Sequence, residues 1–300
     1  MKMTKSIYAV TPQRSDWEST IQGALLSDKH FSQLSGFIYD ICGIKLPPAK
    51  KTMLEARLSK RLRALGIGSY DSYCDLLMSD GGLHQELVHM IDVVTTNKTE
   101  FFRESAHFDY LTQRLLPLLT GRSCHTGRQS ISIWSAGCST GEEPYTLAMV
   151  LAEAAAAYPG LEFSILATDI SVRVLEYAQR AIYERDKIAA VPKHLQKKYF
   201  LRGRNGQEGK YRIVPELRER VSFRRLNFME DDFGMRDPVD VIFCRNVIIY
   251  FDKPTQERLL RKFYDHLGDD GYLFLGHSET IHGMRLPLVS AAPTVYRKVS

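Results

Sequence analysis

Trp134-Ser-Ala-Gly-Cys-Ser-Thr-Gly-Glu-Glu-Pro144 is the stretch whose reading decides the fold. Ile131–Ser135 is a short apolar run of strand character, and a helical pattern follows from about Pro144 to Ala157. Between them, Gly137 and Gly141 let the backbone turn tightly and would let a ligand approach with no Cβ in the way. A strand, a glycine turn and a helix in that order predict a nucleotide-type cofactor site at the carboxyl edge of a parallel sheet; the bland alternative is an ordinary glycine turn. No Gly-Lys-Ser/Thr follows, so it is not a phosphate-binding P-loop, and it does not match G-x-G-x-x-G.

Outward from that turn, strands and helices alternate. Phe163–Thr168 reads as the next strand, Val172–Ile182 as a helix, then Val221–Leu226 and Val239–Cys244 as strands, Pro254–Leu267 as a helix and Tyr272–Leu275 as a strand, with a terminal strand or hairpin in Leu288–Val299. This alternation predicts an α/β fold, a doubly wound sheet with helices on both faces. Residues 183–220 break it: Lys198–Leu201 and Tyr211–Val214 flank a Gly- and Asn-rich turn, which predicts a small antiparallel β-subdomain inserted in the sheet domain. Upstream the period is helical. Phe31 to Ile41, Lys51–Leu65, Tyr70–Met78 and Leu83–Val94 each carry apolar residues at three- and four-residue steps, with Gly43, Gly66 and Gly68 as stops. The expected organisation is a tail over residues 1–27, an all-α domain over 28–103, a linker helix (Glu104 to Leu119) and polar loop (Gly121–Ser130) over 104–130, and the sheet domain over 131–300.

Composition sets the outer limits. Of 300 residues, 44% are hydrophobic and 25% charged, the values of a folded globular protein. No stretch approaches the roughly 20 apolar residues a membrane span requires, and the lysines near the N-terminus precede no apolar run of the signal-peptide kind. The five cysteines are scattered without C-x-x-C or zinc-ligand spacing, which predicts no metal site and a cytoplasmic setting. The net charge of +5 is modest, but between Lys50 and Arg63 six basic residues face one acid, Glu55. Such a stripe suggests a polyanionic partner; its bland reading is a solvated helix face.

Candidate site residues cluster where strands should end. Asp169, after Ile165–Thr168, is placed to hydrogen-bond ribose hydroxyls or, equally, to cap the next helix. Glu142 and Glu143 sit in a first helical turn, where acids favour the dipole or contact a cofactor. Arg245 and Asn246 interrupt the apolar run Phe243–Phe251 where a parallel strand should leave its sheet. Thr95-Thr-Asn-Lys-Thr-Glu-Phe-Phe-Arg-Glu104, dense in hydrogen-bonding groups, joins the helical and sheet domains.

Three of these places, the joining segment, the glycine turn with its acids and the end of the Phe243–Phe251 run, carry a specific resemblance together with Gly276-His-Ser-Glu279. Thr95–Glu104, Ser135–Tyr145, Phe243–Phe251 and Gly276–Glu279, in this order and spacing, resemble the CheR family of chemoreceptor glutamate methyltransferases, and the helical N-terminal domain with its basic Arg57–Arg63 helix agrees. The resemblance implies a Rossmann-like fold that uses S-adenosylmethionine and releases S-adenosylhomocysteine. It further implies that the cofactor is held by Asn97, Thr99, Arg103, Glu143, Asp169, Asn227, Phe228, Arg245 and Asn246 and that Tyr250 lines the methyl-transfer position, with Arg103 expected to orient either the incoming carboxylate or the cofactor's own. The implied partners are the cytoplasmic signalling domains of chemoreceptors, met by Arg57, Lys60, Arg61 and Arg63, with the inserted hairpin available to an extended receptor tail by strand augmentation.

The residue chemistry is compatible. A glutamate acceptor with an ordinary pKa near 4.3 is already ionised at neutral pH, so no general base is required. A nucleic-acid methyltransferase would share the sheet, but its Asn/Asp-Pro-Pro-Tyr-like motif or Pro-Cys nucleophile is not in the sequence. A docking module that has lost catalysis would not be expected to keep Asn97, Arg103, Glu143, Asp169, Arg245, Asn246 and Tyr250 together.

Overall fold

The computed structural model describes residues 25–79, 83–95, 97–126 and 130–299. Most of the expected N-terminal tail, residues 1–24, and Thr96 of the joining segment lie outside the described residues. Two compact units emerge: one takes residues up to Phe37 and Leu46–Val94, the other Ile38–Lys45 and everything from Thr95.

The first unit is all helical. It holds α1 (Asp28–Cys42) as far as Phe37, the end of that helix from Ile38 belonging to the second unit, and then α2 (Lys51–Leu65), α3 (Tyr70–Met78) and α4 (Leu83–Val94). Leu54, Leu58 and Leu62 lie on one face of α2 and are buried, as an i, i+4 spacing requires. Gly66 closes α2 in the left-handed conformation at φ 68°, and the Ser69 hydroxyl caps α3 by accepting from the Ser72 amide.

The second unit begins with α5 (Ala106–Tyr110), a π-helical turn over Leu111–Leu115, and α6 (Leu116–Thr126). The chain then runs β1 (Ser130–Ala136), α7 (Glu142–Ala155), β2 (Glu162–Asp169), α8 (Val172–Arg180), β3 (Ile182–Glu184), α9 (Lys193–Tyr199), β4 (Phe200–Arg202), β5 (Lys210–Ile213), α10 (Pro215–Arg218) and β6 (Val221–Arg225). It ends with β7 (Val239–Cys244), α11 (Lys253–His266), β8 (Leu267–Leu275), β9 (Leu288–Ala292) and β10 (Val295–Lys298). Seven strands form one sheet in the order β6-β2-β1-β7-β8-β10-β9. β6, β2, β1, β7 and β8 are parallel, and β10 enters antiparallel between β8 and β9. Strand order reverses between β1 and β7, the place where an open α/β sheet leaves a crevice for ligand.

Alternation along the central strands divides the core. Ile133, Val241, Phe243 and Phe274 pack with the helices of one face, and Phe243 stacks on Phe274 at 4.3 Å between centroids. Trp134, Ile242, Leu273 and Leu275 pack on the other, where Trp134 meets Phe263 edge-on at 5.0 Å. Both faces are covered, which is why β7 reads as an apolar run broken by Asp240 alone.

Several expectations change. Gly121–Ser130 was expected to be a polar loop, but α6 runs through Gly121 to Thr126. Leu111, Leu115 and Leu116 are fully buried upstream, and that anchoring outweighs the roughly 1 kcal/mol that a glycine costs an exposed helix. The helix expected to reach Ile182 stops at Arg180, because Ala181 turns left-handed at φ 55° and Ile182 opens a strand. That strand, β3, pairs with β5 and makes the inserted hairpin a three-stranded sheet in the order β3-β5-β4. Residues 95–103, expected with the helical domain, group with the sheet unit, as does the expected linker helix. The reason is packing: Phe101 meets Tyr183 and Phe200 edge-on, and Phe108, Leu111 and Leu115 are part of the sheet's core.

Candidate active site

At the carboxyl ends of β1, β2, β7 and β8 the chain makes a set of turns tied by polar side chains. The glycine turn is held by the amides of Gly137 and Cys138, which both donate to the Thr168 carbonyl. Gly137 (φ 86°) and Gly141 (φ 93°) occupy the left-handed region, as a tight turn requires. The space a Cβ would take is filled by protein, not left for ligand. A Cβ on Gly137 would stand 2.5 Å from Val247 Cγ2, and one on Gly141 2.8 Å from the Ala178 Cβ and 2.9 Å from the Tyr183 hydroxyl. This corrects the expectation that both glycines make room for a ligand.

Asp169 is not the cap of α8; the Ser171 hydroxyl is, accepting from the Val174 amide. The Asp169 carboxylate instead accepts from the Ser139 amide at 2.9 Å and the Ser171 amide at 3.0 Å, tying the glycine turn to the end of β2. The Ser139 hydroxyl in turn donates to the Asn97 carbonyl, which brings the joining segment onto the same turn.

Arg245 is the hub. Its Nε donates to Glu143 Oε2 at 2.7 Å, while Glu143 Oε1 accepts from the Ser135 hydroxyl. Its Nη1 donates to the Arg103 carbonyl at 2.7 Å and to His107 Nδ1 at 3.3 Å. Since His107 Nδ1 accepts, Nε2 carries the hydrogen and donates to the Thr294 hydroxyl at 2.8 Å. Burial and the adjacent guanidinium drive the His107 pKa down to about 4, so this imidazole is neutral and fully engaged. The Arg103 side chain folds back on its own segment, Nη1 donating to the Lys98 carbonyl.

Glu104 fastens the joining segment to both neighbouring strands. Its Oε1 accepts from Asn246 Nδ2 at 3.4 Å and the His277 amide at 3.3 Å, and its Oε2 lies 3.7 Å from Arg245 Nη1. Glu104, His107 and His277 could offer ligand atoms to a metal ion, but the Arg245 guanidinium already stands among them and would repel a cation. Phe102, Glu104, Ser139 and Asn246 all take positive φ, between 49° and 60°. Strain at non-glycine residues of this kind costs on the order of 1–3 kcal/mol each and collects where geometry is functionally constrained. A cleft of about 550 Å³ borders the segment, lined among others by Phe101, Phe102, Arg103, Glu104, Ala190 and His277.

Two expected cofactor residues have other commitments. The Phe228 side chain is buried against Trp134, Phe233 and Phe263, so only its backbone can face a ligand. The Asn227 side chain donates to the Ile41 carbonyl at 2.7 Å and accepts from the Met229 amide. Tyr250 closes a 3-10 turn, Ile248–Tyr250, and its carbonyl accepts from the Lys45 amide. Asn97, Thr99, Arg103, Asn227, Asn246 and Tyr250 each keep part of their surface exposed, and Glu143 and Asp169 supply acids beneath them. This donor set fits an adenosyl group, with an acid for ribose hydroxyls and amides for a base and an amino acid. Sequence reading assigned no task to Glu104, His107, Ser139 or Glu279; only the Thr95–Glu104 and Gly276–Glu279 motifs pointed to their neighbourhood.

Residues 29–95 match the family described as "CheR methyltransferase, all-alpha domain", and residues 97–295 match "CheR methyltransferase, SAM binding domain". The chain belongs to the CheR methyltransferase family. It is 41% identical to the chemotaxis protein methyltransferase of Borreliella burgdorferi, over 91% of this chain and 95% of that one. With the chemotaxis protein methyltransferase of Klebsiella aerogenes it shares 39% identity over 99% of this chain and 98% of the relative. The Escherichia coli chemotaxis protein methyltransferase is 40% identical over 90% and 91% of the two chains. Membership gives the chain the activity of an S-adenosylmethionine-dependent chemotaxis protein methyltransferase. Among the described residues, no helix is long and apolar enough to cross a membrane.

In the helical unit of this CheR family member, the four basic residues of α2 expected to meet receptors divide. Arg57 Nη1 donates to the carbonyls of Val93 and Val94, at the end of α4. Arg61 grips Glu86, Nη2 to Oε2 at 2.6 Å, and the Tyr73 hydroxyl donates to the same carboxylate. Lys60 and Arg63 are exposed.

Proposed function

We propose that this enzyme esterifies the γ-carboxylates of glutamates in the cytoplasmic signalling domains of chemoreceptors. The observation that carries the reading is the Arg245 hub. It locks the joining segment onto the sheet edge through the Arg103 carbonyl, while His107, the imidazole buried there, is neutral and engaged on both nitrogens. An acceptor that is already an anion has no need of that imidazole.

Bound there, S-adenosylmethionine would supply a sulfonium methyl, transferred to the acceptor's carboxylate oxygen as the S–CH3 bond breaks, with S-adenosylhomocysteine leaving and no proton to move. The chain's residues bind, align and exclude water. Asn97, Thr99, Arg103, Glu143, Asp169, Asn227, Arg245, Asn246 and the Phe228 backbone hold the donor. Arg103 orients a carboxylate and Tyr250 lines the transfer position. Alignment of this kind can supply roughly 7–11 kcal/mol in favourable cases. On the receptor side, the exposed Lys60 and Arg63 would meet an acidic helical surface, with Arg57 and Arg61 setting the geometry of the helix that presents them. The inserted three-stranded sheet has an edge at β4 suited to an extended receptor tail.

The deciding experiment is transfer of labelled methyl to receptor-containing membranes. Base-labile label on receptor glutamates is expected; base-stable label, or label in nucleic acid, would refute the reading. An Arg103→Ala enzyme that methylates receptors at the unaltered rate would refute that residue's role alone.

A further inference from the structure

The Gly276–Glu279 motif has no assigned role in methyl transfer, yet its acid sits at an unusual junction. Glu279 is 4% exposed, and all four of its carboxylate's contacts are backbone amides. Oε2 accepts from Asn246 at 2.8 Å and Gly276 at 2.6 Å; Oε1 accepts from Val247 at 2.8 Å and Ile249 at 3.3 Å. Three of these donors belong to the turn after β7, which bends left-handed at Asn246 (φ 60°) and leads into the 3-10 turn that ends at Tyr250. Successive amides converging on one anion form a nest, and an anion in a nest holds a strained turn that would otherwise relax. Gly276 is part of the same junction. A Cβ there would stand 2.5 Å from Asn246 Nδ2 and 2.8 Å from its backbone nitrogen.

We infer that Glu279 is a positioning residue of methyl transfer: by gathering the amides of Asn246, Val247, Ile249 and Gly276, it fixes the turn that presents Asn246 and Tyr250 to the cofactor. The inference rests on the assignment of those two residues to the site. Glutamine in its place keeps the size but turns an NH2 toward two N–H donors, so half the nest is lost. The residue needed is an anion with two acceptor oxygens, not merely a side chain that fills the space.

The test compares the unaltered enzyme with Glu279→Gln and Gly276→Ala, well below their melting temperatures. S-adenosylhomocysteine affinity is measured by calorimetry, methyl transfer by steady-state kinetics, and the turn by amide hydrogen exchange. Protected amides at Asn246, Val247 and Ile249 are expected in the unaltered enzyme, with faster exchange there in Glu279→Gln. Both variants should lose about ten- to a hundredfold in affinity or kcat, the scale of a small misplacement near the chemistry. A Glu279→Gln protein that melts earlier but binds and turns over normally overturns the inference. Should that variant fail to fold, Gly276→Ala and the exchange of the unaltered protein decide: normal affinity or unprotected amides overturn it. If Asn246→Ala and Tyr250→Phe leave binding and turnover intact, the site assignment falls and takes the inference with it. If they impair while Glu279→Gln does not, the inference fails alone.

Discussion

Arg245, just past the end of β7, and Glu143, in the first turn of α7, form a buried ion pair, Nε to Oε2 at 2.7 Å, with side chains 3% and 11% exposed. The pair bridges the two turns on either side of the point where strand order reverses, and Arg245 Nη1 reaches the joining segment through the Arg103 carbonyl. One guanidinium thus sets the spacing of the glycine turn, the β7 turn and the segment over them. A planar fork with several fixed donors can do this; a single ammonium cannot.

Arg245→Met should therefore leave the Glu143 charge buried with the Ser135 hydroxyl as its one remaining partner shown. A loss of about 3–5 kcal/mol in unfolding free energy is expected, because breaking a buried pair strands a charge. Arg245→Lys should retain more stability but still lose S-adenosylhomocysteine affinity. Denaturant titration and calorimetry on the two variants separate these effects.

His107 gives the stability a pH dependence with a defined sign. Burial first, and Arg245 second, lower its folded pKa to about 4, against about 6.5 in an unfolded chain. Between those values the unfolded state binds a proton that the folded state does not, so stability falls as pH drops from about 6.5 toward about 4. Melting temperatures recorded across that window should decline, and His107→Gln, which can still accept from Arg245 and donate to Thr294, should flatten part of the decline. An equal slope in the variant would show that other groups carry it.

Gly137→Ala should cost stability twice, through φ 86° and through a Cβ 2.5 Å from Val247 Cγ2. A total of about 1–3 kcal/mol is expected, the range for strain plus overpacking. Val247→Ala in the same chain should recover the steric part only. A double-mutant cycle that shows no coupling between the two would rule out the contact.

The basic helix predicts a contrast. Arg61→Ala strips Glu86, 5% exposed, of its cation and should destabilise the helical unit by about 3 kcal/mol. Lys60→Glu and Arg63→Glu, at exposed positions, should leave melting unchanged while raising the KM for receptor in a salt-dependent way. If Lys60→Glu and Arg63→Glu methylate receptors normally at low salt, this surface is not the docking face.

Much of this was legible in the chain because local pattern and local structure coincide. The strand, glycine turn and helix at 131–157, the helices of the first unit and the inserted hairpin are written in periods of two and 3.6 and in turn residues, which neighbouring positions enforce. Asp169 shows where that ends. Its place after a strand allowed either a ribose contact or a helix cap, and only the Ser139 amide, 30 residues away, reveals the tie to the glycine turn.

The sequence by itself determined the family, the order of elements and which stretches meet at the sheet's edge. What each charged side chain does there was decided by tertiary structure: Arg245 finds Glu143 across 102 residues, Glu279 finds amides more than 30 positions upstream, and Arg57 and Arg61 turn inward while Lys60 and Arg63 do not. The physical reason is that periodicity reports which face of an element is apolar, whereas the partner of a buried charge is fixed only when distant backbone segments have packed and water has left.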